Sequence, residues 1–346
     1  MTSADPESVA LVTKLLREFM TRRLGESAEV SVTGLKRSGQ GSSCENWPFD
    51  ATWRRQDGTT THKELLLRRD PPHSVADTGR AIEFDLLKNL EHTSVPAPVV
   101  HWLDDGGTEL LRPSMVVDRY AGTADRAVLR DKDPLKLADD GRLALAREIC
   151  DTLADVHQVN IAESGLCDVL PAPRVSPAED ELLHWEQQLN SAELEPQPVL
   201  RWALRWLCDH IPPPPDRLTL VHGDFRPANV LVNHGHVEVL LDWELAHLGD
   251  PLDDVGWYSA PLYRSEHFIP GVWEQRDFLC RYVEHTGFEV DPEALRFWQT
   301  LTIFRLAVIA LQGVRIFCEG ESDRPAGPLP KVLTEQLVAV LTEKTQ

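Results

Sequence analysis

Two carboxylates and an amide, Asp224, Asn229 and Asp242, sit among short apolar runs in the stretch from Leu218 to Glu244. Oxygen groups of these types can share one hard cation while one of them works on a proton. Asp224 lies on the loop that leaves the apolar run Leu218 to Val221, so the same loop holds it beside Asn229. The set suits phosphoryl transfer: Asp224 orients and deprotonates an attacking hydroxyl, while Asn229 and Asp242 hold Mg²⁺ against nucleotide phosphates. Any one of the three residues is an ordinary turn former, and a polar turn is the plain reading of each alone. Spacing, register and ligand type together favour the chemistry.

The elements that must position these groups can be read on either side of them. Val230 to Val232 and Val237 to Leu241 are strand-like, and Asn233 to His236 form a tight turn in which Gly235 and His236 suit a two-residue loop that needs glycine first. In that register Asn229 stands opposite Asp242 at the open end of the hairpin, where opposed Cα atoms lie about 4.5 to 5.5 Å apart.

His222-Gly-Asp224, Asn229, Asp242-Trp-Glu244 and the run Gly249 to Asp254 together resemble the signature of the aminoglycoside phosphotransferase and choline kinase family, and the resemblance covers most of the chain. It implies an α+β, protein-kinase-like fold of two lobes: a small antiparallel-sheet lobe over residues 1–119 that binds nucleotide, and a mainly helical catalytic and substrate lobe over residues 120–346. It implies Asp224 as catalytic base, Asn229 and Asp242 as Mg²⁺ ligands, and Arg226 where protein kinases carry a lysine two residues after the catalytic aspartate. His222 and Asp254 are expected to organise the loop. In the same resemblance Arg68 takes the place of the family's nucleotide-binding lysine and Glu83 that of its partner, with a surface ion pair as the plain alternative. The arginine is a departure, since its planar head reaches phosphate oxygens differently from an ammonium. Asp118 and Tyr120, in the run to Gly122, resemble the hinge whose backbone contacts the adenine edge; a plain linker is the alternative. ATP is the implied nucleotide, with GTP left open. The run Phe304 to Gly313 resembles a branch of the family that also occurs fused to acyl-CoA dehydrogenases.

Upstream, Glu7 to Leu24 has the apolar spacing of an amphipathic helix, entered at Pro6 and left at Gly25. Glu29 to Lys36, Phe49 to Arg55, His62 to Arg69, Val99 to Leu103 and Ser114 to Tyr120 are strand-like. Between the first two strands runs a glycine- and serine-rich loop whose backbone N–H groups and hydroxyls, Ser42 and Ser43 among them, are placed to cover phosphates. It completes neither a Walker motif, for which Gln40 and Gly41 stand where Lys and Ser or Thr are needed, nor a Rossmann fingerprint. Downstream, helices are expected over Asp139 to His157, Leu182 to Leu189, Val199 to His210, Trp273 to His285, Pro292 to Cys318 and Leu329 to Glu343. His157 and, by default, Trp185, Trp202 and Trp206 are expected in the core.

The 346 residues suffice for two cores, and the six cysteines are too scattered for a zinc spacing or a disulfide framework. A reducing cytoplasm fits best. No window is expected to reach the apolar length of a membrane span. With 35 basic against 55 acidic residues, a net charge of −20, generic binding to nucleic acid or anionic membranes is disfavoured and a cationic substrate mildly favoured.

The combined reading is an ATP-dependent phosphotransferase acting on a hydroxyl of a small molecule, with a nucleotide-binding pseudoenzyme and a metal-dependent hydrolase as rivals. The acceptor is expected between the Asn160 to Pro215 insert and the Trp257 to Cys318 helices. A hydroxylated acyl compound ranks ahead of an aminoglycoside, with Phe304 to Leu311 as apolar trough and Arg305 and Arg315 as basic groups at its mouth.

Overall fold

The computed structural model describes residues 8–25, 28–38, 44–70, 79–320 and 329–343. The chain divides into two compact units, one of Met1–His92 with Ala97–Ala121 and one of Thr93–Pro96 with Gly122–Gln346.

The first unit is built on β1 (Glu29–Thr33), β2 (Glu45–Arg54), β3 (Thr60–Arg69), β4 (Val100–Asp104) and β5 (Ser114–Asp118), with α1 (Val9–Leu24) and α2 (Arg80–Leu90). The strands form one antiparallel sheet in the order β1-β2-β3-β5-β4. Alternation along β2 turns Trp47, Phe49, Ala51 and Trp53 inward, where they meet Leu65 and Leu67 of β3 and Leu16, Phe19 and Met20 of α1. Burial of such side chains is worth about 1.5 to 3 kcal/mol each, which fixes the face that α1 covers. Ser8 caps α1 by accepting from the Leu11 N–H at 3.3 Å. Expected residues Pro6, Glu7, Ser42 and Ser43 lie outside the described residues.

β2 begins four residues earlier than the apolar pattern suggests. Glu45 looks too polar for a strand buried on this face, yet its carboxylate accepts from Arg37 Nη2 at 2.7 Å, Arg112 Nη1 at 3.1 Å and Trp47 Nε1 at 3.1 Å, which offsets its desolvation.

The second unit is mainly helical: α3 (Ala138–Gln158), α4 (Leu166–Val169), α5 (Pro177–Ala192), α6 (Pro198–Asp209), α7 (Leu252–Ser259), α8 (Arg264–His267), α9 (Gln275–Thr286), α10 (Pro292–Cys318) and α11 (Leu329–Thr342). Two short antiparallel pairs sit among the helices, β6 (Thr219–Val221) with β9 (His247–Gly249), and β7 (Val230–Asn233) with β8 (His236–Leu240). Trp185 is buried, but Trp202 is 43% exposed, contrary to the expectation that it is core.

α10 is long and apolar enough to cross a membrane, which corrects the expectation that no segment is. Its Phe297, Trp298, Leu301, Ile303, Phe304, Ala307 and Val308 are buried, and the helix packs on α5, α6, α7 and α11. The first half of the helix is enclosed by these neighbours and so needs no polar stripe to interrupt its apolar run.

Candidate active site

β6 delivers the chain into the loop His222 to Asn229, and three buried groups hold that loop's backbone. Asp254, in the first turn of α7, accepts the N–H of His222 at 2.6 Å and of Gly223 at 2.9 Å. His222 bridges loop and hairpin: its Nε2 donates to the Leu241 carbonyl at 2.9 Å, and its Nδ1 accepts the Asp224 N–H at 3.2 Å. That pattern requires a neutral ring, and burial holds its pKa below the ordinary histidine value. Gly223 has φ +84°, and a Cβ there would lie 2.5 Å from the Leu245 carbonyl oxygen, so no other residue fits this approach. Asp254 is tied in turn to His157 Nε2 at 3.1 Å, whose Nδ1 lies 2.7 Å from the Tyr282 hydroxyl.

Asp224 emerges from this frame with its side chain largely buried. Asn229 Nδ2 donates both to the Asp224 carbonyl and to Asp224 Oδ2, each at 2.8 Å. Arg226 Nε lies 3.0 Å from Oδ1 and 3.1 Å from Oδ2. Burial pushes the carboxyl from 3.8 up to about 6 and the Asp242 charge adds to that, whereas Arg226 and the Asn229 hydrogen bond pull it down. The result is a carboxyl that changes charge close to neutral pH.

The hairpin that brings Asp242 in differs from the expected register. His234 and Gly235, not Gly235 and His236, are the central turn residues, with φ +50° and +85°, as a type I′ turn requires. Asn233 therefore pairs with His236, and an irregularity after Leu231 shifts the register again to Leu231 with Val239 and Val230 with Leu240. Asn229 then meets Leu241, whose N–H donates to the Asn229 carbonyl at 2.8 Å, and Asp242 lies one residue beyond, at φ +67°.

Asp242 Oδ1 is buried and makes no hydrogen bond among the described residues, and the buried Asp224 Oδ1 has only the 3.0 Å ion-pair contact with Arg226. Asn229 commits its NH₂ to Asp224, which directs its carbonyl oxygen away from that carboxylate. A buried carboxylate oxygen without a donor and an amide oxygen are donors of the kind a hard divalent cation takes, so Asp242 and Asn229 fit Mg²⁺.

Other groups around Asp224 carry no local sequence signal. Tyr263 is buried, and its phenol feels the charges of Asp224 and Arg226. Glu266, whose charge also acts on the Tyr263 phenol, is paired with Arg126 and, at 2.6 Å, with Arg130, residues more than 130 positions away.

In the first unit, Arg68 on β3 pairs with Glu83 of α2 through Nη1 and Oε1 at 2.5 Å. Arg80, three residues before Glu83 on the same helix, takes the other oxygen at 2.6 Å and also pairs with Asp70. Asp118 accepts from His101 Nε2 at 2.7 Å and Lys63 Nζ at 3.1 Å, and the Tyr120 hydroxyl accepts the Val99 N–H at 3.0 Å.

Arg305 is not at a pocket mouth. It is 2% exposed, with Nη1 on Asp253 Oδ1 at 2.5 Å and Nη2 on Glu181 Oε2 at 2.7 Å, because an arginine inside an apolar helix must find buried counter-charges. Most of the Phe304 to Leu311 run is core rather than trough.

A model of the phosphotransferase enzyme family matches residues 47–298. Among curated proteins the chain is similar to acyl-CoA dehydrogenase family member 10 of Mus musculus, 28% identical over 269 residues that are 73% of this chain and 24% of that protein. It is similar also to acyl-CoA dehydrogenase family member 11 of Homo sapiens, 27% identical over 293 residues, 76% of this chain and 34% of that one. The chain thus spans about a quarter to a third of the length of these relatives. Among solved structures, a Ralstonia eutropha protein assigned as an aminoglycoside phosphotransferase superposes with TM-score 0.72 at 20% identity, over 96% of this chain and 99% of that one. A thermostable mutant of aminoglycoside phosphotransferase APH(4)-Ia, in complex with AMP-PNP and hygromycin B, gives 0.62 at 17% identity, over 94% and 97%. These likenesses show that the fold is kinase-like.

Proposed function

The chain belongs to the phosphotransferase enzyme family, and from that membership we propose that it moves the γ-phosphate of ATP to a hydroxyl of a small molecule. The observation that carries the reading is Asp224: a largely buried carboxylate raised to about 6 and oriented by Asn229 on Oδ2 and by Arg226 across both oxygens.

In this mechanism Asp224 Oδ1 accepts the proton of the acceptor hydroxyl as the oxygen attacks phosphorus. Positioning and electrostatics supply the rest of the rate, since phosphoryl transfer asks little covalent chemistry of the protein. Asn229 and Asp242 would hold Mg²⁺, whose chemistry is to neutralise charge on the transferring phosphates. Arg226 keeps the carboxylate ionised in the resting site, and Arg68, held by Glu83, is assigned to the nucleotide phosphates.

For the acceptor we propose a hydroxylated acyl compound, on the strength of the acyl-CoA dehydrogenase family relatives. An aminoglycoside-like polycation is the second reading, favoured by the net charge of −20 and by neighbours of the APH(4)-Ia type. Release of ADP from Mg·ATP, measured with hydroxyacyl-CoA and hydroxyacyl acids in one series and aminoglycosides in another, separates them. Release that depends on the hydroxyacyl series and disappears in Asp224→Asn is expected; release that needs no acceptor, or that responds to aminoglycosides alone, sinks the respective part of the proposal.

A further inference from the structure

Away from Asp224, three donor groups from three elements converge on one point of the second unit. Glu181 of α5, His247 of β9 and Asp253 of α7 bring one ligand atom each within 4.8 Å of one another. His247 Nε2 lies 3.4 Å from Asp253 Oδ2 and 3.8 Å from Glu181 Oε1. Donors sharing a first-row ion at about 2.0 to 2.2 Å stand about 3.2 to 3.6 Å apart when the site is tetrahedral, so small side-chain adjustments close the set.

The ring is already oriented as a ligand. His247 Nδ1 is 3.0 Å from the Leu245 carbonyl, and a ring that donates from Nδ1 presents its Nε2 lone pair to the two carboxylates. That Nε2 is buried and makes no hydrogen bond among the described residues. Its close polar neighbours are those two carboxylates, at 3.4 and 3.8 Å, a spacing that either an ion or a proton on Nε2 bridges.

Both carboxylates also have their outer partner in place. Arg305, 2% exposed, binds Asp253 Oδ1 at 2.5 Å, Asp253 Oδ2 at 2.8 Å and Glu181 Oε2 at 2.7 Å. It fixes the two carboxylates and leaves Glu181 Oε1 unclaimed by the guanidinium. Once the ion displaces the proton on Nε2, the four side chains carry one net negative charge, which a divalent cation offsets. The access route exists as well: a cavity of about 280 Å³, walled by Pro171, Pro173, Pro177 and Leu248, reaches Glu181 and His247.

We propose that Glu181, His247 and Asp253 form a binding site for a first-row transition-metal dication, distinct from the Asn229 and Asp242 site. One imidazole nitrogen with two carboxylate oxygens selects ions of the Zn²⁺ or Mn²⁺ type over Mg²⁺, which shuns nitrogen ligands. A bound ion would tie α5 and α7 to β9, the strand whose partner β6 leads into the Asp224 loop. The competitor for the same position is a proton on Nε2, which would close the cluster as an ion network with no room for metal.

The test is calorimetric titration of Zn²⁺ into the chelator-treated, nucleotide-free protein at pH 7.5, with Mg²⁺ titrated in parallel. One Zn²⁺ per chain is expected, with affinity reduced about 100-fold or more in His247→Gln and unchanged in Asp242→Asn. Glu181→Gln, at a partly exposed position, provides the same reading should His247→Gln fail to fold. Absence of stoichiometric Zn²⁺ binding, or full-affinity binding retained in the ligand variants, or binding lost in Asp242→Asn, overturns the proposal.

Discussion

Replacing Asp224 by Asn should stabilise the protein above neutral pH while nearly abolishing turnover, and the two effects come from the same buried charge. The Asp224 carboxyl is raised from 3.8 to about 6, chiefly by burial. A group whose folded value lies above its unfolded value favours folding when protonated, so its contribution is fully present below pH 3.8 and is lost as pH rises through 6. At about 1.4 kcal/mol per tenfold change in proton affinity, keeping it ionised costs about 3 kcal/mol, which we reduce to about 2 because the side chain retains 15% exposure. Asparagine has no proton to lose. Urea unfolding at pH 4.5 and 7.5 should therefore show the gap between variant and wild type moving toward the variant by about 1 kcal/mol at the higher pH, part of the cost having been incurred already by pH 4.5. Loss of the base should lower the rate about 10²- to 10⁴-fold, with nucleotide affinity within a few-fold. A stability gap that ignores pH, or wild-type turnover in the variant, would refute the reasoning.

Asp242→Ala should weaken Mg²⁺-dependent nucleotide binding more than Asn229→Ala, since a charged carboxylate dominates a hard-cation site; calorimetry with and without Mg²⁺ would decide it, and equal, metal-independent affinities in both variants and wild type would remove both residues from the metal site. Gly223→Ala should destabilise by more than about 1 to 2 kcal/mol, the left-handed conformation alone costing that much and the Leu245 carbonyl at 2.5 Å adding a clash; an unaltered melting temperature would contradict it. Asp254→Ala leaves two buried N–H groups without their acceptor, at about 1 to 3 kcal/mol each, so kcat should drop together with stability; a fully active, equally stable variant would remove Asp254 from the loop's support.

How much of this could be read beforehand depended on whether the signal was local. Asp224, Asn229 and Asp242 stand out because their types and spacing lie within one loop and one hairpin. The hairpin's turn lies one residue before the position that its glycine suggests because His234, a non-glycine residue, accepts positive φ beside Gly235, and the irregularity after Leu231 has no compositional mark. The apolar run of α10 marked a helix, yet nothing near Arg305 in sequence indicated Asp253 and Glu181 as its partners, 52 and 124 residues away. Glu45 carries no strand signal for the same reason, since two of its three partners, Arg37 and Arg112, lie outside its own strand.

The central claim is that Asp224 activates an acceptor hydroxyl for attack on the γ-phosphate, and the most direct measurement is the fate of that phosphate. Phosphorus NMR of a reaction with Mg·ATP and a hydroxyacyl acceptor should show a phosphate monoester growing in step with ADP, formed by wild type and absent with Asp224→Asn. Growth of inorganic phosphate alone, at a rate indifferent to acceptor, would contradict the account and identify a hydrolase; nucleotide bound without any change in its phosphorus signals over long incubation with both acceptor series would contradict it in favour of a protein that binds and does not transfer.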